Sequence, residues 1–170
     1  GKNKGPGSRG GWRLGKLAGL DFGGQAAGSP DPSTRAELLL LSPSFLVPCL
    51  THDGIKVWDT LAIAQYLNET MPEAGLLPKD KVARAYCRSI CGEMHSGFTN
   101  LRSALPMNLK AHHPGFKVWA GARAAIARGV SIWLDCLSRL KAPFRFCPTR
   151  GLARARLGSI RPSLRTYAVP

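Results

Sequence analysis

Acidic residues are scarce in this chain: ten, against 24 lysines and arginines, for a formal charge of +14 over 170 residues. Between Pro143 and Pro170 there are none, while Arg145, Arg150, Arg154, Arg156, Arg161 and Arg165 all fall there. Such a tail attracts phosphate backbones without sequence preference. No nucleic-acid-binding motif accompanies it, so a basic nucleic-acid-binding protein is a runner-up reading. Long apolar runs are absent as well. Nothing approaches the roughly 18 residues that suggest a membrane-spanning helix. The opening GKNKGPGSRGGWRLGKLAGLDF has no continuous apolar stretch, so no secretory signal is expected. No methionine stands first, and the true start is expected upstream. Cys-x-x-Cys is missing too: Cys49, Cys87, Cys91, Cys136 and Cys147 are irregularly spaced and odd in number. That argues against a zinc or dithiol site and for reduced thiols in the cytoplasm. Cys87 and Cys91, four apart, share a helix face and are expected to be buried.

What is present suffices for a core, at 44% hydrophobic residues. The first 32 residues are rich in Gly, Lys and Arg with poor periodicity, and GGQAAGSPDPS reads as loop. TRAELLLLS predicts a short helix capped at Ser33 or Thr34, with Glu37 completing a capping box. FLVPCLT and IKVWD predict two strands, and Asp53-Gly54 between them signals a hairpin. TLAIAQYLNETMP predicts a helix with Asp59 or Thr60 as cap and Pro72 as stop. MPEAGLLPKD predicts a linker. Beyond it, Val82, Tyr86, Ile90, Met94, Phe98, Leu101 and Leu105 form an apolar stripe on a helix capped by Asp80 and ended by Pro106. A second helix is predicted from Phe116 to Leu140. Its buried face carries Val118, Ala122, Ala125, Ile126, Gly129, Ile132, Trp133, Cys136 and Leu140. Two such neighbours imply an antiparallel pair in a bundle. His112-His113-Pro114 is a loop without Cys or acidic companions, so no metal is expected there. Cys49 is assigned to packing.

One residue resists this scheme. Pro48 interrupts an apolar run, where a central strand would lack a ladder hydrogen bond. Two segments carry a resemblance that accounts for it: LSPSFLVPCLTHDGIKVWDTLAIAQYLNETMPEAGLLP and EMHSGFTNLRSALPMN. From Ser33 to Leu140 the chain resembles the glutathione S-transferase family. Within it, the chain looks most like the bacterial branch related to zeta-class enzymes, which include maleylacetoacetate isomerases. The resemblance implies an α/β plus all-α fold. A thioredoxin-like domain is expected over residues 1–72, a linker over 73–79 and an incomplete helical-bundle domain over 80–170. It implies glutathione as co-substrate, a small electrophile as second substrate, a homodimer and a cytoplasmic location, without membrane attachment. In that fold Pro48 is cis, and the backbone of Val47 pairs with the cysteinyl part of glutathione as an added strand would. Asp59 and Thr60 then face the γ-glutamyl end, where a helix N-terminus also attracts a carboxylate. An N-cap alone would account for that pair equally well without the Val47-Pro48 context. His95 and Arg102 are placed beside the second-substrate cleft. A solvated face or an interhelix contact is the competing explanation for them.

The family pattern breaks at both ends. Relatives in this branch carry a Tyr-Ser-Ser-Trp-Ser-x-Arg-like motif near the N-terminus of the first helix, and the serine credited with activating the thiol belongs to its serine pair. Here KGPGSRG occupies that place, with Lys4 for the Tyr, Gly5 and Pro6 for the serine pair, Gly7 for the Trp and Gly10 for the Arg. Ser8 survives as a fallback catalytic residue, though a loop serine explains it as well. Near the C-terminus, Gly151 and Arg154 replace the Ser/Thr-x-x-Asp box of a buried helix. Divergence or a shifted reading frame in these two stretches is the expected cause. A transferase of reduced activity, or a noncatalytic glutathione-binding module, follows.

Overall fold

The computed structural model describes residues 6–24, 47–108, 110–140 and 160–168. The helix expected at TRAELLLLS, Cys147 and the Gly151–Arg154 segment lie outside the described residues. A two-stranded antiparallel hairpin, β1 (Cys49–His52) and β2 (Ile55–Trp58), pairs Cys49 with Trp58 and His52 with Ile55. Its turn is Asp53-Gly54, both with positive φ, 49° and 78°. That is the backbone a two-residue hairpin turn demands, because its twist matches the strands. The Nδ1 of His52 lies 2.8 Å from the hydroxyl of Tyr66 and ties the turn to the next helix.

That helix, α2 (Thr60–Thr70), starts at Asp59, whose Oδ1 accepts from the amides of Leu61 at 2.7 Å and Ala62 at 3.3 Å. Ile63, Ala64 and Leu67 face inward. The glycine-rich opening, whose periodicity is poor, is helical: α1 runs Pro6–Leu17. Gly10, Gly11 and Gly15 weaken helix propensity by up to about 1 kcal/mol each. Packing compensates, because Leu14 is fully buried among Ile63, Ala64 and Leu67. The stretch expected to be a linker also joins this core. Leu76 and Leu77 are 1% and 4% exposed, and Asn68 accepts a hydrogen bond from the Leu77 amide at 3.1 Å. Cys87 and Cys91 of the following helix are buried in the same cluster, as their spacing predicts.

The helical half begins with α3 (Lys81–Ser96), capped by Asp80 through the Ala83 amide at 2.7 Å. The single helix expected to reach Pro106 is in fact two. Gly97 closes α3 with a bond to the Glu93 carbonyl, Phe98 takes a left-handed conformation at φ 63°, and α4 (Thr99–Ala104) follows. The Arg102 guanidinium donates to the carbonyls of Met94 and Gly97, satisfying acceptors the break leaves over. Val82, expected on the buried stripe, is 73% exposed, one turn too early to meet the core.

Helix α5 (Ala120–Leu140) starts four residues later than expected, because Phe116 packs on Tyr167 instead, at 4.9 Å between ring centres. Ala122, Gly129, Ile132 and Cys136 are buried on its inner face. Ile90, Met94, Leu101, Leu105, Ile132 and Cys136 form the second core. Tyr86 donates to Asp135, and Arg128 grips Glu93 at 2.6 and 2.8 Å, so α3 and α5 run antiparallel. A last helix, α6 (Ile160–Thr166), is anchored by the Thr166 hydroxyl on the Asn108 carbonyl at 2.8 Å.

Candidate functional site

Three elements meet at the foot of the hairpin. The Val47-Pro48 peptide bond is cis and leads directly into β1. Val47 remains 47% exposed. Helix α1 crosses this bend so closely that a Cβ on Gly11 would lie 2.7 Å from Cγ of Pro48. One residue earlier, a Cβ on Gly10 would lie 3.0 Å from Cγ2 of Thr60. The two glycines are what let α1 pass over Pro48 and the start of α2 together. Composition marked them only as poor helix formers; the contact they permit has no one-residue signature.

Thr60 is 2% exposed, with its methyl turned to α1. Asp59 next to it holds φ 73° and ψ 137°. A positive φ in a residue other than glycine costs on the order of 1–3 kcal/mol and persists where surrounding bonds over-determine it. The two amide bonds to Oδ1 do so. The other oxygen, Oδ2, faces Nδ1 of His95 at 3.5 Å, with the side chains 35% and 43% exposed. So His95, in the last turn of α3, lies beside Asp59 and the cleft they share. Arg102 is engaged with the carbonyls that end α3. Ser8 falls in the first turn of α1, half-buried. Cys49 is half-buried and directs its thiol at the Leu50 carbonyl.

A second ion pair joins α3 to α5. The Arg128 guanidinium, hydrogen-bonded to Glu93, holds that carboxyl below the ordinary carboxylate range against a small cost of burial. Among the described residues no group of His, Cys, Asp or Glu is arranged to hold a metal ion. Nor is any described helix long and apolar enough to cross a membrane.

Residues 8–70, which carry α1, the hairpin and α2, match the N-terminal domain of glutathione S-transferases. Over those residues the chain is similar to glutathione S-transferases. The curated relatives it matches include maleylacetoacetate isomerases. A probable maleylacetoacetate isomerase of Caenorhabditis elegans is 36% identical over 75 residues, 44% of this chain and 35% of that protein. The maleylacetoacetate isomerase of Rattus norvegicus is 42% identical over 67 residues, 39% of this chain and 31% of that one. The chain thus spans about a third of the curated relatives it matches. Among solved structures, glutathione S-transferase 1-6 from Anopheles dirus species B superposes with a TM-score of 0.69 at 18% identity, covering 94% of this chain and 75% of that one. That likeness shows the fold through the helical half: a thioredoxin-like N-terminal domain followed by an all-α one.

Proposed function

We propose that the chain binds glutathione in the cleft between α1, the Val47-Pro48 bend and the start of α2, and acts as a glutathione transferase of reduced power. One observation carries this: Gly10 and Gly11 bring α1 onto both Thr60 and Pro48, so the residues with family roles converge in the domain that matches the family. Val47 offers backbone groups to the cysteinyl part, as an added strand would. Asp59 takes the γ-glutamyl ammonium through Oδ2, and the buried Thr60 and the α2 N-terminus take its carboxylate. In the reaction, the glutathione thiol gives its proton to solvent, its sulfur bonds to an electrophilic carbon of a small second substrate, and with an aryl halide the carbon–halogen bond breaks and halide leaves. On the family pattern His95 and Arg102 would contact an acidic second substrate, although the Arg102 guanidinium is engaged with the carbonyls that end α3. A homodimer in the cytoplasm is the family-based expectation for its working form.

The replacement of the activating serine pair by Gly5 and Pro6 favours a second reading, a module that binds glutathione without using it. Retention on immobilised glutathione with elution by the free tripeptide tests both against a nucleic-acid-binding role. Retention on DNA alone, lost steeply with salt, would overturn them. Turnover of a standard aryl halide by the retained protein separates the transferase from the noncatalytic module.

A further inference from the structure

We propose that the loop leading into α5 is a docking surface for single-stranded nucleic acid, separate from the cleft read as the glutathione site. Between Glu93 and Asp135 the chain has no acidic residue, and Arg102, Lys110, Lys117, Arg123 and Arg128 all fall there. Arg102 and Arg128 are engaged with α3. Lys110 and Lys117 are exposed and make no ion pair among the described residues. His112 and His113, also exposed, lie between them in sequence. Interleaved with these groups are two aromatic rings, Phe116 and Trp119, 44% and 52% exposed. Both are backed by the protein. Phe116 packs on Tyr167, which also carries the His113 ring, 5.4 Å away between centres. The Trp119 indole lies against Gly121, where a Cβ would come within 2.3 Å of Cζ3. Arg123 returns to the same turn, its Nε donating to the Val118 carbonyl at 2.9 Å. The His113 amide donates to the Thr166 carbonyl at 2.7 Å, which holds the loop against α6 and its exposed Arg165. Cations alternating with aromatic rings match a polyanion whose flat bases are unpaired. Phosphates meet the ammonium and guanidinium groups, and bases stack on the open ring faces. A duplex hides those faces in its own stack. A bilayer would be anchored by rings that project past the backbone, whereas these two rest on Tyr167 and Gly121. The arginines between Pro143 and Pro170 add charge of the same sign.

The experiment titrates a labelled thymidine oligonucleotide with the full chain and follows fluorescence anisotropy. An abasic oligomer of equal length and the thymidine strand annealed to its complement are titrated beside it, and co-sedimentation with phosphatidylserine vesicles is the membrane comparison. The unsubstituted chain should bind the thymidine strand about tenfold more tightly than the abasic oligomer, because each stacked base adds to the shared phosphate attraction. Trp119→Ala should remove most of that preference and change abasic binding less than about twofold. Trp119→Phe, which keeps a ring face, should retain most of it. Trp119→Leu, which keeps apolar bulk without a ring, serves where the alanine variant does not fold. Lys117→Gln should weaken both oligomers alike and reduce the slope of log affinity against log salt by about 0.7. Equal affinity of the unsubstituted chain for the thymidine and abasic strands would overturn the proposal. So would tighter binding to duplex, binding to vesicles alone, no binding to any probe, or a Trp119→Ala loss shared equally by both oligomers. None of these side chains enters the cleft at Asp59 and Pro48, so the glutathione reading stands or falls separately.

Discussion

Gly11 of α1 and Pro48 at the foot of β1 are in such close approach that a methyl group on Gly11 would sit 2.7 Å from Cγ and 2.8 Å from Cβ of the proline ring. A pyrrolidine ring has no long, flexible end that can swing away, so α1 itself would have to move. Overpacking of this kind costs about 1–3 kcal/mol. Gly11→Ala should therefore lower stability in urea unfolding, although the same change in a free helix gains about 1 kcal/mol. Gly92 is the control. It lies within α3, and a Cβ there meets nothing within 4 Å. Gly92→Ala should stabilise by about 0.5–1 kcal/mol. Two variants shifting the midpoint in the same direction would contradict this account of α1.

Asp59 combines a structural duty with a proposed binding one, and two substitutions separate them. Asp59→Asn keeps a side-chain oxygen for the Leu61 and Ala62 amides, so stability should stay near that of the parent. Asp59→Ala loses the cap and should cost about 1 kcal/mol. Glutathione affinity should fall in both, by about tenfold or more, because the charge facing His95 is gone in each. Unchanged affinity in a folded Asp59→Asn protein would reduce Asp59 to a cap.

The bond from Arg128 lowers the Glu93 carboxyl below its ordinary range. A carboxylate depressed on folding stabilises the folded chain above the ordinary glutamate range, about pH 4.3, and loses that contribution as pH falls through the lowered value. The side chains are 55% and 36% exposed, so solvent screening keeps the effect small. Glu93→Gln should therefore be slightly less stable than the parent at pH 7 and equal to it at strongly acidic pH. High salt should shrink the difference at pH 7. A gap that widens on acidification would reverse the sign and refute the assignment.

With Gly5 and Pro6 in the place of an activating serine pair, no side-chain hydroxyl is available there, and proline has no N–H to give. Bound glutathione should then titrate near a free thiol, about pH 8.5. Conjugation of a standard electrophile should be slow at pH 7 and rise towards that value, since one lost donor of this type costs roughly 10²–10³ in rate. A double variant, Gly5→Ser with Pro6→Ser, should recover part of the rate, while Ser8→Ala should change little. Ordinary turnover at pH 7, abolished by Ser8→Ala, would make Ser8 the activating residue instead.

Local chemistry alone determined much of this protein. Asp53-Gly54 specifies a two-residue hairpin turn because both positions need positive φ. Asp59 and Asp80 start their helices because a short carboxylate reaches orphan amides. The stripe from Ile90 to Leu105 and the inner face of α5 follow from the helical repeat, which fixes which residues share a side. Other features were decided only by tertiary structure. The opening glycines form a helix because Leu14 is buried and Gly10 and Gly11 admit close neighbours, a gain no propensity contains. The apolar stripe breaks at Gly97-Phe98 because the chain turns there and Arg102 takes up the freed carbonyls. Leu76 and Leu77 leave the linker for the core because the N-terminal half presents apolar surface to them. His95 and Asp59, read from sequence as parts of two different subsites, face one another because α3 folds back over the start of α2. Periodicity tells which residues share a face of one element, and only the packing of two elements tells which faces meet.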